Sequence, residues 1–282
     1  MEYAFYPGCL AQTEQYGCIL SAGETLRRLG VELKNMDGSS CCGFQSYRLS
    51  APIMWNFLTA RNMALAERMG LDILTICNDC YLSFQLVKRQ LYSDHLSRRY
   101  VNESLELEGL SYHNDKKVHH IIEVLHDEVG VDKISDSVTK PLEKYRFVTQ
   151  PGCHLYRPKK LEMPDTDDPQ KLDNLIEALG ADTIDYPEKL HCCGASMYSP
   201  DDISVPASAE RKLKSISALG IDGIVTTCPH CYNTLEATQR ENKNPSDYKA
   251  STIPVIHFTQ LLGLAMGIKP ERLGPSFKLP LK

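Results

Sequence analysis

The chain has 282 residues, with 31 Lys and Arg against 36 Asp and Glu, a formal net charge of −5, and 42% hydrophobic and 24% charged residues. These proportions exclude intrinsic disorder, collagen-like repeats and nucleic-acid binding driven by bulk positive charge, and the length suits one large domain or two smaller ones. The longest apolar runs, such as Gln260 to Ile268, are too short to span a bilayer. The N-terminus opens on Glu2 rather than a basic and apolar leader, so a cytoplasmic chain is expected.

Tyr3–Tyr6 reads as a short strand ending at Pro7-Gly8, and a helical pattern follows through Leu20 to Leu29, stopped by Gly30. Val31–Leu33 forms a second strand, after which a loop carries Cys41-Cys42-Gly43. The spacing predicts a long helix over Ile53–Met69, with Ala60, Ala64 and Leu65 facing inward and Gly70 closing it. Ile73–Ile76 is a third strand and Tyr81–Tyr92 a helix. Residues 93–140 contain no cysteine and read as a mainly helical connector, with a helix over Val118–Glu128. The connector's His113, His119, His120 and His126 have no acidic or thiol partner at ligand spacing, so an exposed connecting helix is the better reading than a metal site. Residues 141–282 repeat the plan, with strands at Arg146–Thr149, Thr183–Asp185 and Gly223–Thr226, a helix at Phe258–Met266 and a basic tail. The expected fold is α/β: two duplicated Rossmann-like halves, 1–92 and 141–282, each a small parallel sheet flanked by helices. The cysteine-bearing loops would then gather at the carboxyl ends of the strands, where open α/β sheets bind ligands.

The duplication is visible in the cysteines themselves. Pro7-Gly8-Cys9 returns as Pro151-Gly152-Cys153, Cys41-Cys42-Gly43 as Cys192-Cys193-Gly194, and Cys77-Asn-Asp-Cys80-Tyr81 as Cys228-Pro-His-Cys231-Tyr232. Ten of the eleven cysteines thus fall into two matching sets of five. Cys18 has no counterpart and reads as a buried apolar residue. A disulfide framework is not expected in a reducing compartment, which leaves metal ligation or redox chemistry. One zinc or one cubane cluster takes four thiolates, so five per half exceed the need of either, and the adjacent pair reaches a single site only if Gly43 lets the backbone bend sharply. A thioredoxin-type dithiol would leave three cysteines of each half idle, and two structural zinc sites would leave one idle in each. Soft thiolates favour iron–sulfur ligation.

The doubled pattern Cys-x31-Cys-Cys-Gly-x33-Cys-x2-Cys and Cys-x38-Cys-Cys-Gly-x33-Cys-x2-Cys resembles the paired cysteine-rich CCG domains, and a chain of two such domains is similar to the family of heterodisulfide reductase B subunits. The resemblance covers nearly the whole chain. It implies two noncubane [4Fe–4S] clusters, one held by Cys9, Cys41, Cys42, Cys77 and Cys80 and the other by Cys153, Cys192, Cys193, Cys228 and Cys231. It also implies reduction of the coenzyme M–coenzyme B heterodisulfide, with electrons relayed from the flavin-containing A subunit through the small iron–sulfur C subunit, and docking near the first cluster. Such a chain would need partners, since it lacks a ferredoxin cysteine run and a dinucleotide loop of its own. His154, His191 and His230 adjoin cluster cysteines and are candidate proton donors, their first-half counterparts being Leu10, Ser40 and Asp79. Lys34, Arg48, Arg157, Lys159 and Lys160 are candidate contacts for anionic coenzyme groups. The same scaffold also serves electron relay to a quinone or cleavage of another disulfide, and the alternative from a different class is a colourless zinc scaffold.

Overall fold

The computed structural model describes residues 1–157, 169–197, 207–241, 253–275, 277 and 279, so Lys159 and Lys160 lie outside the described residues. The first half runs β1 (Glu2–Tyr6), α1 (Cys9–Thr13), α2 (Tyr16–Arg28), β2 (Glu32–Asn35), α3 (Phe44–Tyr47), α4 (Pro52–Met69), β3 (Ile73–Thr75), α5 (Asn78–Ser93), α6 (His95–Leu105) and β4 (Val118–His120). After α7 (Ile121–Glu123), a π-helical stretch (Val124–Gly130) and α8 (Val131–Asp136), the second half runs β5 (Arg146–Gln150), α9 (Lys171–Glu177), β6 (Asp182–Thr183), α10 (Ala207–Ile216), β7 (Gly223–Thr226), α11 (Pro229–Glu241), β8 (Val255–His257) and α12 (Phe258–Ala265).

Each half holds a four-stranded sheet, in the orders β2-β1-β3-β4 and β6-β5-β7-β8. Every neighbouring pair is parallel. The central strands are apolar along their length, as strands covered on both faces must be: Ile73, Leu74, Ile224 and Val225 are all fully buried. The registers match between halves, with Ala4 opposite Ile73 and Val148 opposite Ile224. This is the two-half parallel α/β arrangement expected from the repeat.

The segment 118–128 departs from the expected helix. Val118–His120 instead pairs in parallel with Ile73–Thr75, and the helix starts only at Ile121. The switch is local: the His120 ring accepts the Ile122 N–H, and Glu123 accepts the His120 N–H at 2.9 Å, a reciprocal cap that ends the strand and starts the helix. His120 is therefore fully buried rather than exposed. The second half repeats the device, with β8 ending at His257, whose N–H donates to Gln260. Each sheet thus has a fourth strand where three were expected, because a three-residue strand running straight into a helix is too short to carry a pattern of its own.

The two halves share apolar packing. Phe5, Leu26 and Leu74 of the first half belong to one buried cluster with Phe147, Leu213 and Phe258 of the second. Helix α2 lies on α12, where Ser21 Oγ meets Thr259 Oγ1 at 2.7 Å and Arg28 donates to the Met266 carbonyl at 3.0 Å. A second buried cluster around Tyr6, Trp55 and Phe84 reaches Cys193, Cys228 and Cys231 of the opposite half. Among the described residues, no helix is long and apolar enough to cross a membrane.

Candidate metal centre

Both copies of the site are built the same way. β1 and β5 run into a Pro-Gly turn and deliver Cys9 and Cys153, while β3 and β7 lead into α5 and α11, whose starts carry the Cys-x-x-Cys pairs. The Cys77 and Cys228 N–H groups donate to Thr75 and Thr226 at 3.2 and 3.3 Å, so a threonine two residues back shapes each turn into the helix. The adjacent pair is bent as required: Gly43 and Gly194 have φ of 74° and 87°, and their N–H groups point to Cys41 and Cys192 sulfur, each at 3.3 Å. Gly8, at φ 83°, lies against the thiols, where an added Cβ would sit 2.9 Å from Cys80 Sγ. At Gly152 an added Cβ would strike the Asn78 amide and approach Cys231.

The thiols form chains of contacts. Cys9 and Cys41 sulfurs are 3.4 Å apart and those of Cys42 and Cys80 3.6 Å apart. In the second set Cys193, Cys228 and Cys231 are buried, while Cys153 and Cys192 are partly exposed. The two sets meet across the halves, because Cys42, Cys77 and Cys80 share one buried cluster with Cys193, Cys228 and Cys231. All eleven cysteines are free thiols, and Cys18 is fully buried in α2. Hydrogen bonds from Cys42 and Cys9 draw Cys41 down to about 2, and bonds from Cys153 and Cys193 draw Cys192 down to about 2. Their neighbours are pushed up, Cys42 to about 12 by the same bond to Cys41. Cys41 in the first set and Cys192 and Cys228 in the second are thus lowered while their neighbours are raised; ionising all five of a set together requires a compensating cation. Among the described residues, no three ligand-type groups are arranged around a single ion. Ten converging thiols with glycine cradles and backbone N–H donors at the sulfurs fit an iron–sulfur group in each half.

A narrow cleft lies between the halves, lined by Gln45, Asn78 and Asp79 on one side and Cys153, His154 and His230 on the other. Asp79 is buried and organises it. Its carboxylate accepts from His154 Nδ1 at 2.6 Å and from the Gln45 amide, and lies 3.7 Å from His230 Nε2. Burial lowers the His154 pKa, but the Asp79 bond and charge outweigh it and leave the imidazole raised. Phe44, which follows the first-half Cys-Cys-Gly, packs edge-on against His154 with centroids 5.1 Å apart. Asn78 seals the seam, donating to the Pro151 carbonyl at 2.8 Å and accepting from Thr227 at 3.0 Å.

Of the three histidine candidates, His154 and His230 are brought together on Asp79, whereas His191 is exposed on the turn before Cys192. Arg48 stacks over Phe44 at 4.8 Å and Arg157 over Tyr156 at 5.8 Å, while Lys34 pairs with Glu2 and Glu32 on an outer strand. His119 lies 3.1 Å from Glu128 and 3.7 Å from Asp72, and His126 2.7 Å from Asp127; among the described residues these form no ligand set. Sequence reasoning did not assign roles to Asp79, Asn78 or Gln45. The available signal was the break in the repeat inside the Cys-x-x-Cys, where Asn78-Asp79 replaces Pro229-His230.

Residues 3–85 and 147–236 match the model of the CCG cysteine-rich domain. The chain is 34% identical to the B subunit of ferredoxin:CoB-CoM heterodisulfide reductase from Methanosarcina mazei, over 96% of this chain and 91% of that one. It is 32% identical to a protein of Archaeoglobus profundus described as like the heterodisulfide reductase B subunit, over 97% and 93% of the two chains. It is also 30% identical to the 8-methylmenaquinol:fumarate reductase membrane anchor subunit of Wolinella succinogenes, over 97% and 95%. Among solved structures it is similar in fold to a hypothetical protein from Helicobacter pylori, with a TM-score of 0.71 and 17% identity; the match covers 97% of this chain and half the length of that one.

Proposed function

Because the chain belongs to the cysteine-rich CCG-domain family, a family of iron–sulfur electron transfer within oxidoreductase complexes, we propose that it is the disulfide-reducing subunit of such a complex. The substrate under this proposal is the coenzyme M–coenzyme B heterodisulfide, consumed with two electrons and two protons to give two thiols. The observation that carries the reading is the meeting of cysteines from both five-cysteine sets in one buried cluster, beside a cleft to which both halves contribute. Cys9, Cys41, Cys42, Cys77 and Cys80 hold one noncubane [4Fe–4S] cluster, and Cys153, Cys192, Cys193, Cys228 and Cys231 the other. When bound, the clusters supply the one-electron steps that a two-electron cleavage needs.

The chain's own groups position the substrate and supply the protons. His154, fixed through Nδ1 by Asp79, and His230 beside the same carboxylate are the proton donors to the departing thiolates. Electrons come from a small iron–sulfur partner, the C subunit of the reductase, itself fed by the flavin-containing A subunit, as the family implies. A second reading, electron relay to or from a quinone, is favoured by the similarity to the menaquinol-linked fumarate reductase subunit.

The test is iron, acid-labile sulfide and zinc per chain in protein purified without oxygen, followed by heterodisulfide reduction with a reduced dye as donor. About eight iron per chain, four for each cluster, with turnover of the heterodisulfide supports the proposal. Full iron without turnover, but with electron exchange with a quinol, favours the relay reading. Zinc in place of iron overturns both.

A further inference from the structure

Lys212, on α10, is fully buried. Its neighbours on the same helix face are Ala209, Leu213 and Ile216, so an ammonium occupies a position in an apolar stripe. It donates to two uncharged oxygens, the Glu188 carbonyl and the Tyr186 hydroxyl at 3.2 Å, and lies 5.0 Å from the Tyr186 ring centroid. Burial lowers it to about 8, opposed by Cys231, Cys193, Glu188 and Cys192, so it stays charged at neutral pH.

The first half has a neutral group at the matching position. Asn62 stands eight residues before Gly70 and Lys212 eight before Gly220, the glycines of positive φ that follow α4 and α10. Asn62 is likewise fully buried; its amide donates to the Ser40 carbonyl at 3.0 Å and lies 3.5 Å from the Tyr6 hydroxyl. Both side chains therefore tie a tyrosine to the loop entering the Cys-Cys pair, one with an amide and the other with a cation. The other cations are matched by anions or shared: Lys189 is paired with Asp173 at 3.0 Å, His154, which acts on Cys192 and Cys228, is paired with Asp79 at 2.6 Å, and His230 acts on Cys41 and Cys228 alike, one from each set.

We propose that the Lys212 ammonium places the second cysteine site at a higher reduction potential than the first, so that electrons entering at the first site come to rest on the second. This rests on the iron–sulfur reading above. A one-electron iron–sulfur donor loses the electron, the first site passes it on, and the second site is reduced by one electron with no proton moved. A buried cation favours the more negative, reduced state of a site it faces, and the low-dielectric interior strengthens that effect. Lys212 is a positioning residue for charge and need not touch substrate.

The test is a redox titration of the anaerobic, cluster-loaded complex followed by electron paramagnetic resonance, with iron content measured in parallel, on the wild type, Lys212→Gln and Lys212→Arg. The glutamine reproduces the donor chemistry of Asn62 without charge. Expected in Lys212→Gln is full iron, with only the higher of two reduction waves moving down, by about tenfold in the oxidised-to-reduced ratio or about 59 mV for one electron; Lys212→Arg retains the wild-type value. Unmoved waves in a fully loaded Lys212→Gln overturn the proposal. So does iron loss in Lys212→Gln that Lys212→Arg shares, since Lys212 then serves packing alone. A wild-type complex without iron in this chain overturns the functional reading, which separates that failure from failure of the charge argument.

Discussion

At the residue scale, Gly8 and Asp79 are positions where the cysteine sites tolerate little change. Gly8 combines a φ of 83° with sulfur 2.9 Å from where a Cβ would be. Gly8→Ala adds backbone strain of about 1–2 kcal/mol to an overpacking cost of about 1–3 kcal/mol. The expected outcome is loss of the first site's iron with the second retained, read as about half the wild-type iron per chain; full iron would show that the turn gives way. Asp79 holds the cleft through its carboxylate rather than its bulk. Asp79→Asn keeps the volume and removes the charge that faces His154 and His230. Disulfide reduction should fall by roughly 10–100-fold at unchanged iron, the range seen when outer partners of a metal site are removed. Unaltered turnover in Asp79→Asn would remove Asp79 from the proposed mechanism.

At the element scale, the helices carry both a spare position and an acid-sensitive one. Gly23 lies inside α2 with open space where a Cβ would go and no positive φ. Gly23→Ala should stabilise the chain by about 0.5–1 kcal/mol, visible as a raised Tm. The strand-to-helix caps at His120 and His257 act the other way. Both rings are fully buried, and burial lowers them to about 3 and about 4. Below an unfolded value of about 6.5 the unfolded chain binds more protons at these positions than the folded one. Their contribution is therefore complete above that value and is lost as pH falls from it toward the folded values, at up to about 1.4 kcal/mol per pH unit for each ring. His257→Gln should flatten the fall of Tm between pH 6.5 and 5 relative to the wild type. An unchanged slope would show that other groups carry the acid sensitivity.

At the scale of the whole molecule, the duplicated halves do not form separate cores. Apolar clusters join residues of both, α2 packs on α12, and Asn78 hydrogen-bonds across the seam to Pro151 and Thr227. One cooperative thermal transition is therefore expected by calorimetry rather than two. Asn78→Ala removes its hydrogen bonds to Pro151 and Thr227, which still bond each other at 2.9 Å, at about 0.5–1.5 kcal/mol for each bond lost, and should lower that single Tm. Two resolved transitions would show that the shared packing contributes little. The seam also decides the cleft, because the first-half Asp79 is the group that gathers the second-half His154 and His230.

The repeat, the parallel α/β class and the membership of both cysteine sets were legible in the sequence because they depend on local spacing: strands end in Pro-Gly or Cys-x-x-Cys turns, and glycines follow the helices. Three of the expected strands in each half appear, with ends shifted by one or two residues, as at Asp182–Thr183. The fourth strands were not legible, since Val118–His120 and Val255–His257 become strands only by adding to an edge already formed by β3 and β7. Nor does spacing distinguish His191 from its two companions; exposure does so only once the loops are packed. The sequence by itself showed that ten cysteines recur in two matching sets of five, because their spacing along the chain is covalent. The tertiary structure alone decided that cysteines of the two sets share one buried cluster, that Asp79 serves the opposite half, and that Lys212 is buried where Asn62 is its neutral counterpart. Those relations join residues far apart in the chain, and only the packing of one half against the other, or of one helix against its own loop, brings their charges within range.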